Sequence, residues 1–203
     1  MKKFIAFIIA AVVMSTCLCI GTSAAVTVTH TVAKGDTLWK IAVKYQVGLS
    51  EIIAANPQFK NPDLIYPGQK VYVPLPDSEI TSYEQQVIDL VNEQRAKNGL
   101  KALTANWELS RVARYKSQDM HDKKYFSHTS PTYGSPFDMM KSFGISYRSA
   151  GENIAQGYRT PEAVMNGWMN SSGHRANILN SSYTQIGVGY VSDGNYLTQM
   201  FIG

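Results

Sequence analysis

Ile186-Gly187-Val188-Gly189-Tyr190-Val191-Ser192-Asp193-Gly194-Asn195-Tyr196-Leu197-Thr198-Gln199-Met200-Phe201-Ile202 lies at the C-terminal end of the chain. Ile186, Val188 and Tyr190 recur with the period of two that places side chains on one face of a strand. Asp193-Gly194 is a tight-turn signal, and Tyr196 to Ile202 returns as a second strand. The stretch predicts an antiparallel hairpin.

Working upstream from the hairpin, the period changes to that of helices. Thr81-x-x-Glu84 is a capping box, in which side chain and backbone of the two residues satisfy each other's orphan N–H groups. Ile80, Tyr83, Val87, Leu90 or Val91, and Gln94 follow at helical spacing up to Gly99. A second helix is expected from about Ala105 to Lys123, with Leu109, Val112, Ala113, Lys116 and Met120 along one side. Ser135-Pro136 opens a third that stops near Gly144, since proline suits a first helical turn. Thr160-Pro161-Glu162 opens a fourth, carrying Val164 and Trp168. Helices first and a hairpin last indicate an α+β domain, its helices packed on an antiparallel sheet.

Residues 29–74 read as a separate, smaller module. Thr31-Val32 is extended and Gly35-Asp36 turns the chain. Asp36 or Thr37 caps a helix through about Tyr45, because their side-chain oxygens accept from early helical N–H groups. Leu38, Ile41 and Ala42 share one face of it. Ser50 is expected to cap a second helix, Glu51 to Ala55, with Ile52 and Ile53 turned inward. Asn56-Pro57 ends it. Tyr66-Pro67-Gly68-Gln69 turns into a last strand at Lys70 to Val73. The order is β-α-α-β, and residues 75–80, beginning at the stiff Pro74-Leu75-Pro76-Asp77, form the linker.

The first 25 residues read as a secretory signal peptide. Lys2-Lys3 precede an apolar run from Phe4 to Ile20 that ends in small residues up to Ala25. Cleavage is favoured over a retained span, because the run is near the lower limit for crossing a bilayer. Both cysteines, Cys17 and Cys19, fall inside it, so the mature chain has none and its stability comes from packed cores. This cysteine usage suits export by a Gram-positive bacterium. Lys2 and Lys3 carry two of the formal +4 charges, leaving +2. That charge, with no long Lys/Arg run, excludes a nucleic-acid reading.

His30-Thr31-Val32-x-x-Gly35-Asp36-Thr37-Leu38-Trp39-x-Ile41-Ala42, then Asn56-Pro57, then Asn61-Pro62-x-Leu64-Ile65-Tyr66-Pro67-Gly68-Gln69, then Val71-x-Val73-Pro74, resembles a LysM domain. The resemblance implies binding of N-acetylglucosamine-containing glycans such as peptidoglycan or chitin. Its groove would place Gly35, Asp36, Thr37 and Leu38 opposite Asn61, Pro62, Leu64 and Ile65. Backbone groups would hold an acetamide, and Leu64 and Ile65 would wall its methyl. Gly35, Pro67 and Gly68 also shape the turns.

Residues 81–203 resemble the CAP (SCP/PR-1-like) superfamily in its bacterial secreted branch. The resemblance rests on Phe126-Ser127-His128, Gly151-Glu152-Asn153-Ile154-Ala155, Trp168-Met169-Asn170-Ser171, Gly173-His174-Arg175-x-Asn177-Ile178-Leu179, and the two hairpin strands. It implies a three-layer α-β-α sandwich with a cleft of two His and two Glu. His128, Glu152 and His174 match three of those positions, and Ser171 stands at the fourth, so a mechanism requiring two carboxylates is in doubt.

Three readings of the cleft stay open. His128, Glu152 and His174 bind a divalent metal such as zinc. Alternatively, Ser171 is a nucleophile with His174 as base and Glu152 as orienter, which needs a helix continuous past Gly173. Otherwise the cluster is a hydrogen-bonded polar site that binds an envelope protein or ligand, or that ties the helices to the sheet, with no cofactor required. Glu152 is expected to raise the pKa of both imidazoles. Of the other histidines, His30 and His121 are expected to be solvated, and Trp168, Tyr125 and Phe126 to be core. The leading expectation is a secreted, cell-wall- or spore-associated protein, its LysM module on peptidoglycan and its CAP domain engaging a wall partner. The alternative is a LysM-targeted hydrolase or metal-dependent lytic factor.

Overall fold

A computed structural model describes residues 26–203; the export signal proposed for 1–25 lies outside the described residues. The first module pairs β1 (Val26–Thr31) with β2 (Lys70–Leu75), antiparallel, with Val28 opposite Val73 and His30 opposite Val71. Between them run α1 (Leu38–Tyr45) and α2 (Leu49–Ala55). Thr37 caps α1, accepting from the Lys40 N–H at 3.1 Å. Leu38, Ile41, Ala42, Val47, Ile52, Val71 and Val73 form its core. Buried Asn56 sews α2 to β2: its amide donates to the Ile52 and Tyr72 carbonyls, and its oxygen accepts from the Tyr72 N–H.

Three expectations for this module are corrected. Helix α2 begins at Leu49 behind Gly48, and the Ser50 hydroxyl donates to the Glu51 carboxylate rather than capping. Ile53 faces solvent while Ile52 is fully buried, because seven residues of helix cannot turn two adjacent side chains inward. His30 is buried, with Nε2 2.9 Å from Asp36 Oδ2 and Nδ1 3.2 Å from the Tyr45 hydroxyl. It ties β1 to the following loop and to α1.

The second module contains α3 (Ser78–Lys97), β3 (Thr104–Ala105), α4 (Trp107–Asp122), α5 (Pro136–Ser142), β4 (Ala150–Gln156), α6 (Pro161–Met169), α7 (Ser172–Ile178), β5 (Gln185–Val191) and β6 (Tyr196–Ile202). Helix α3 starts before the expected capping box, with Asp77 accepting from the Glu79 N–H. Only Pro76 and Asp77 therefore separate β2 from α3. The sheet order is β3-β5-β6-β4, with the β5–β6 hairpin at its centre turning through Gly194 at φ +75°.

Helix α4 covers one face of the sheet, where Leu109, Val112 and Ala113 meet Met200 and Ile202. Gly187 and Gly189 permit that approach, since a Cβ at either would collide with the α4 backbone. Helices α3, α6 and α7 cover the other face around Val87, Val91, Trp168, Ile186, Val188 and Phe201. The result is the three-layer α-β-α arrangement.

β4 is an edge strand, and three side chains cap its outward carbonyls. Tyr183 donates to Ala150 O, Asn177 to Glu152 O and Trp168 to Ile154 O. The modules meet where Arg111 of α4 donates to both Glu51 carboxylate oxygens, at 2.6 and 2.8 Å. The Tyr115 hydroxyl adds a bond to the same carboxylate at 3.0 Å.

Candidate functional site

The CAP-side site forms across edge strand β4. Glu152, opposite Met200 in the ladder, faces the α4 layer. His128 comes from the loop after α4, and buried residues of α4 fix that loop. Lys116 Nζ donates to the carbonyls of Ser127 and His128, both at 2.8 Å. Asp119 accepts from the hydroxyls of Tyr125 and Ser130 at 2.6 Å, and from Thr132. Those bonds hold the Asp119 carboxyl down at about 2 against the opposing effect of burial.

His128 Nδ1 then lies 2.7 Å from Glu152 Oε1. Glu152 Oε2 is buried and has no partner. Burial raises the Glu152 pKa, and the His128 contact and the Lys116 charge only partly offset it.

Helix α7 brings His174 to the same strand from the other face. Asn177 donates to Glu152 O and to Asn153 Oδ1, while Asn153 Nδ2 donates to the His174 carbonyl at 3.1 Å. His174 is half-buried, and burial first, then the nearby His128, lowers its pKa. The expectation that Glu152 raises both imidazoles therefore fails for His174, where desolvation outweighs attraction.

Two of the three chemical readings lose geometric support. Helix α6 ends at Met169 and α7 begins at Ser172, so Ser171 occupies the N-terminal cap position between two helices. Among the described residues no hydrogen bond joins the Ser171 hydroxyl to His174. For the metal set His128, Glu152 and His174, no group of three or more His, Cys, Asp or Glu among the described residues is placed to hold an ion. His128 Nδ1 is spent on Glu152 Oε1, and the unpartnered Oε2 is buried. Of the aromatics, Trp168 is core, Tyr125 braces the loop, and Phe126 is exposed next to Ser127-His128 rather than core. His121 is not freely solvated: its ring nitrogens meet Asp122 and Asp193 at 2.7 and 2.9 Å.

On the small module, backbone bonds between Val32 and Gln69 and between Gly68 and Val32 bring the loop after β1 beside the loop before β2. Gly35, Thr37, Asn61 and Leu64 are exposed there, and Pro62 and Ile65 half-exposed. Leu38 is buried in the core, so its side chain is not part of a groove surface. Asp36 is committed to the loop itself, accepting from the Ala33 N–H and contacting His30; these contacts lower its pKa, His30 foremost. Tyr66, exposed in the same loop, lies outside the groove set that the resemblance implies.

An α-β-α sandwich with a His–Glu cluster on its edge strand, preceded by a β-α-α-β module, defines a two-module LysM–CAP protein. The family model for CAP, the cysteine-rich secretory protein family, matches residues 88–202, and that for the LysM domain matches residues 30–74. The chain belongs to the CAP family and carries a LysM domain.

Protein YkwD of Bacillus subtilis is 63% identical over 126 residues, covering 62% of this chain and 49% of that protein. The spore coat assembly protein ExsA of Bacillus cereus is 58% identical over 45 residues, 22% of this chain and 7% of that protein. A crystal structure of an extracellular SCP-domain protein from Bacillus anthracis superposes with a TM-score of 0.59 at 38% identity, covering 67% of this chain and 47% of that one. The match thus spans about half the length of YkwD. No helix among the described residues is long and apolar enough to cross a membrane.

Proposed function

We propose that this is an exported, cell-wall-associated protein whose LysM module binds N-acetylglucosamine-containing peptidoglycan and whose CAP cleft binds a wall partner. One observation carries the CAP half of this reading: a buried carboxylate oxygen, Glu152 Oε2, without a partner beside the exposed His128 ring. A buried unpaired acceptor is costly, and a donor from a bound molecule would satisfy it. The cluster is held rigidly by Lys116, Asp119, Asn153 and Asn177, as suits a recognition site. The spore coat relative and the extracellular structural neighbour support a wall or spore-surface setting.

Incubation of the protein with purified cell walls separates binding from hydrolysis. A binding cleft releases no soluble product, and Glu152→Gln loses retention of the envelope partner. Product release abolished by Ser171→Ala would replace this reading with that of a wall hydrolase.

A further inference from the structure

Apart from the groove and the CAP cleft, the described residues form a concavity where the two modules meet. Its volume is about 300 Å³, at the lower end of the roughly 300–1,000 Å³ usual for small-ligand sites. Trp39 and Ser50 of the LysM module line one wall; Trp107, Glu108, Arg111 and Phe143 line the other.

The walls are fixed relative to each other. Arg111 is held by the Glu51 carboxylate across the module boundary, and its guanidinium lies over the Phe143 ring at 5.2 Å. Trp39 is 53% exposed although it is the largest apolar side chain on α1. It follows Leu38 directly, and so stands at the end of the Gly35–Leu38 loop that borders the glycan groove.

Aromatic side chains on both walls, with the Glu108 carboxylate and an Arg111 guanidinium whose Nε and Nη2 are held by Glu51 and Ser50 while Nη1 is not, suit a pyranose. The C–H face of the ring packs on the indole, and its hydroxyls and acetamide meet the polar groups. A lipid or a purely apolar peptide would leave Glu108 unmatched. We propose that this cleft is a second sugar subsite, continuous with the LysM groove, so that one N-acetylglucosamine-containing strand runs from the LysM module onto the CAP domain. The proposal rests on the LysM glycan reading and extends it to residues outside that module.

Titration of the mature chain with N-acetylglucosamine trimer and hexamer tests this by calorimetry and tryptophan fluorescence. Of the three tryptophans, Trp39 and Trp107 line the cleft and Trp168 is buried in the core, so emission reports the cleft. The hexamer is expected to bind roughly tenfold more tightly than the trimer and to shift the emission. Trp107→Ala is expected to reduce hexamer affinity to that of the trimer while leaving trimer binding unchanged. Trp39→Ala, at an exposed position of the LysM module, gives the same loss and guards against a folding defect in the first variant. Equal affinity for both lengths, or folded variants that keep wild-type hexamer affinity, would overturn the subsite and leave the LysM groove standing. Failure of both oligomers to bind would overturn the subsite and the groove together.

Discussion

His128 and Glu152 are joined at 2.7 Å, yet their environments are opposite: the imidazole side chain is 52% exposed and the carboxylate side chain 1%. A solvent-facing ring thus sits over a carboxylate that water barely reaches. Burial raises the Glu152 pKa above its ordinary value. A carboxylate whose folded pKa is raised contributes stability below its unfolded value, and that stability is lost as pH rises through the folded value. Glu152→Gln has no such titration. Thermal melts from about pH 4 upward should show the wild type losing stability relative to Glu152→Gln as pH rises, with partner binding lost in the variant throughout. A difference that stays constant with pH would show that Glu152 is not shifted.

Asp119 behaves in the opposite sense. Its carboxyl, held down at about 2 by hydroxyl donors, contributes stability above its unfolded value that is lost as pH falls towards 2. Asp119→Asn should cost roughly 2 kcal/mol at neutral pH, and the gap to wild type should close on acidification. Because Asp119 braces the loop carrying His128, the variant should also weaken partner binding. Denaturant unfolding at neutral and acid pH checks the first, and titration with the partner the second.

Arg111 is the charged link between the modules, bonded to Glu51 in a half-buried setting, with the Tyr115 hydroxyl on the same carboxylate. Arg111→Ala should lower stability by about 1–2 kcal/mol and let the modules separate. Limited proteolysis should then cut faster at the Pro76-Asp77 junction. Unchanged cleavage would mean that the apolar contacts and the Tyr115–Glu51 hydrogen bond suffice to hold the modules together.

Much of this architecture was legible in the sequence. Thr37, Ser135 and Thr160 cap the helices that their residue types announce, and Ser135 with Asp138 completes a capping box. The period of two marked β5 and β6. Strand β4 escaped because Ala150-Gly151-Glu152-Asn153-Ile154-Ala155 buries adjacent polar residues, and only partners distant in sequence satisfy them: His128 for Glu152, Gln199 and Asn177 for Asn153. Helix α7 escaped for a related reason. Ser172-Gly173-His174-Arg175 has no helical apolar pattern, and Asn177 anchors it to β4. The family resemblance supplied His128, Glu152 and His174, but not Lys116 and Asp119, whose roles depend on burial against a loop. His30 escaped because a single histidine carries no periodicity; its partners Asp36 and Tyr45 come together only when α1 folds onto β1.

The most direct test of the central reading is co-sedimentation of the mature chain with purified peptidoglycan, with and without competing chito-oligosaccharide. Leu64→Asp serves as the groove variant, since Leu64 is 52% exposed and its replacement spares the core. Weak binding is expected of a single small module. The wild type should pellet and be released by the oligosaccharide, while Leu64→Asp, with an unchanged melting temperature, stays largely in the supernatant. A wild type that remains in solution, or that pellets without competition and no differently from folded Leu64→Asp, would contradict the assignment of this groove to wall glycan.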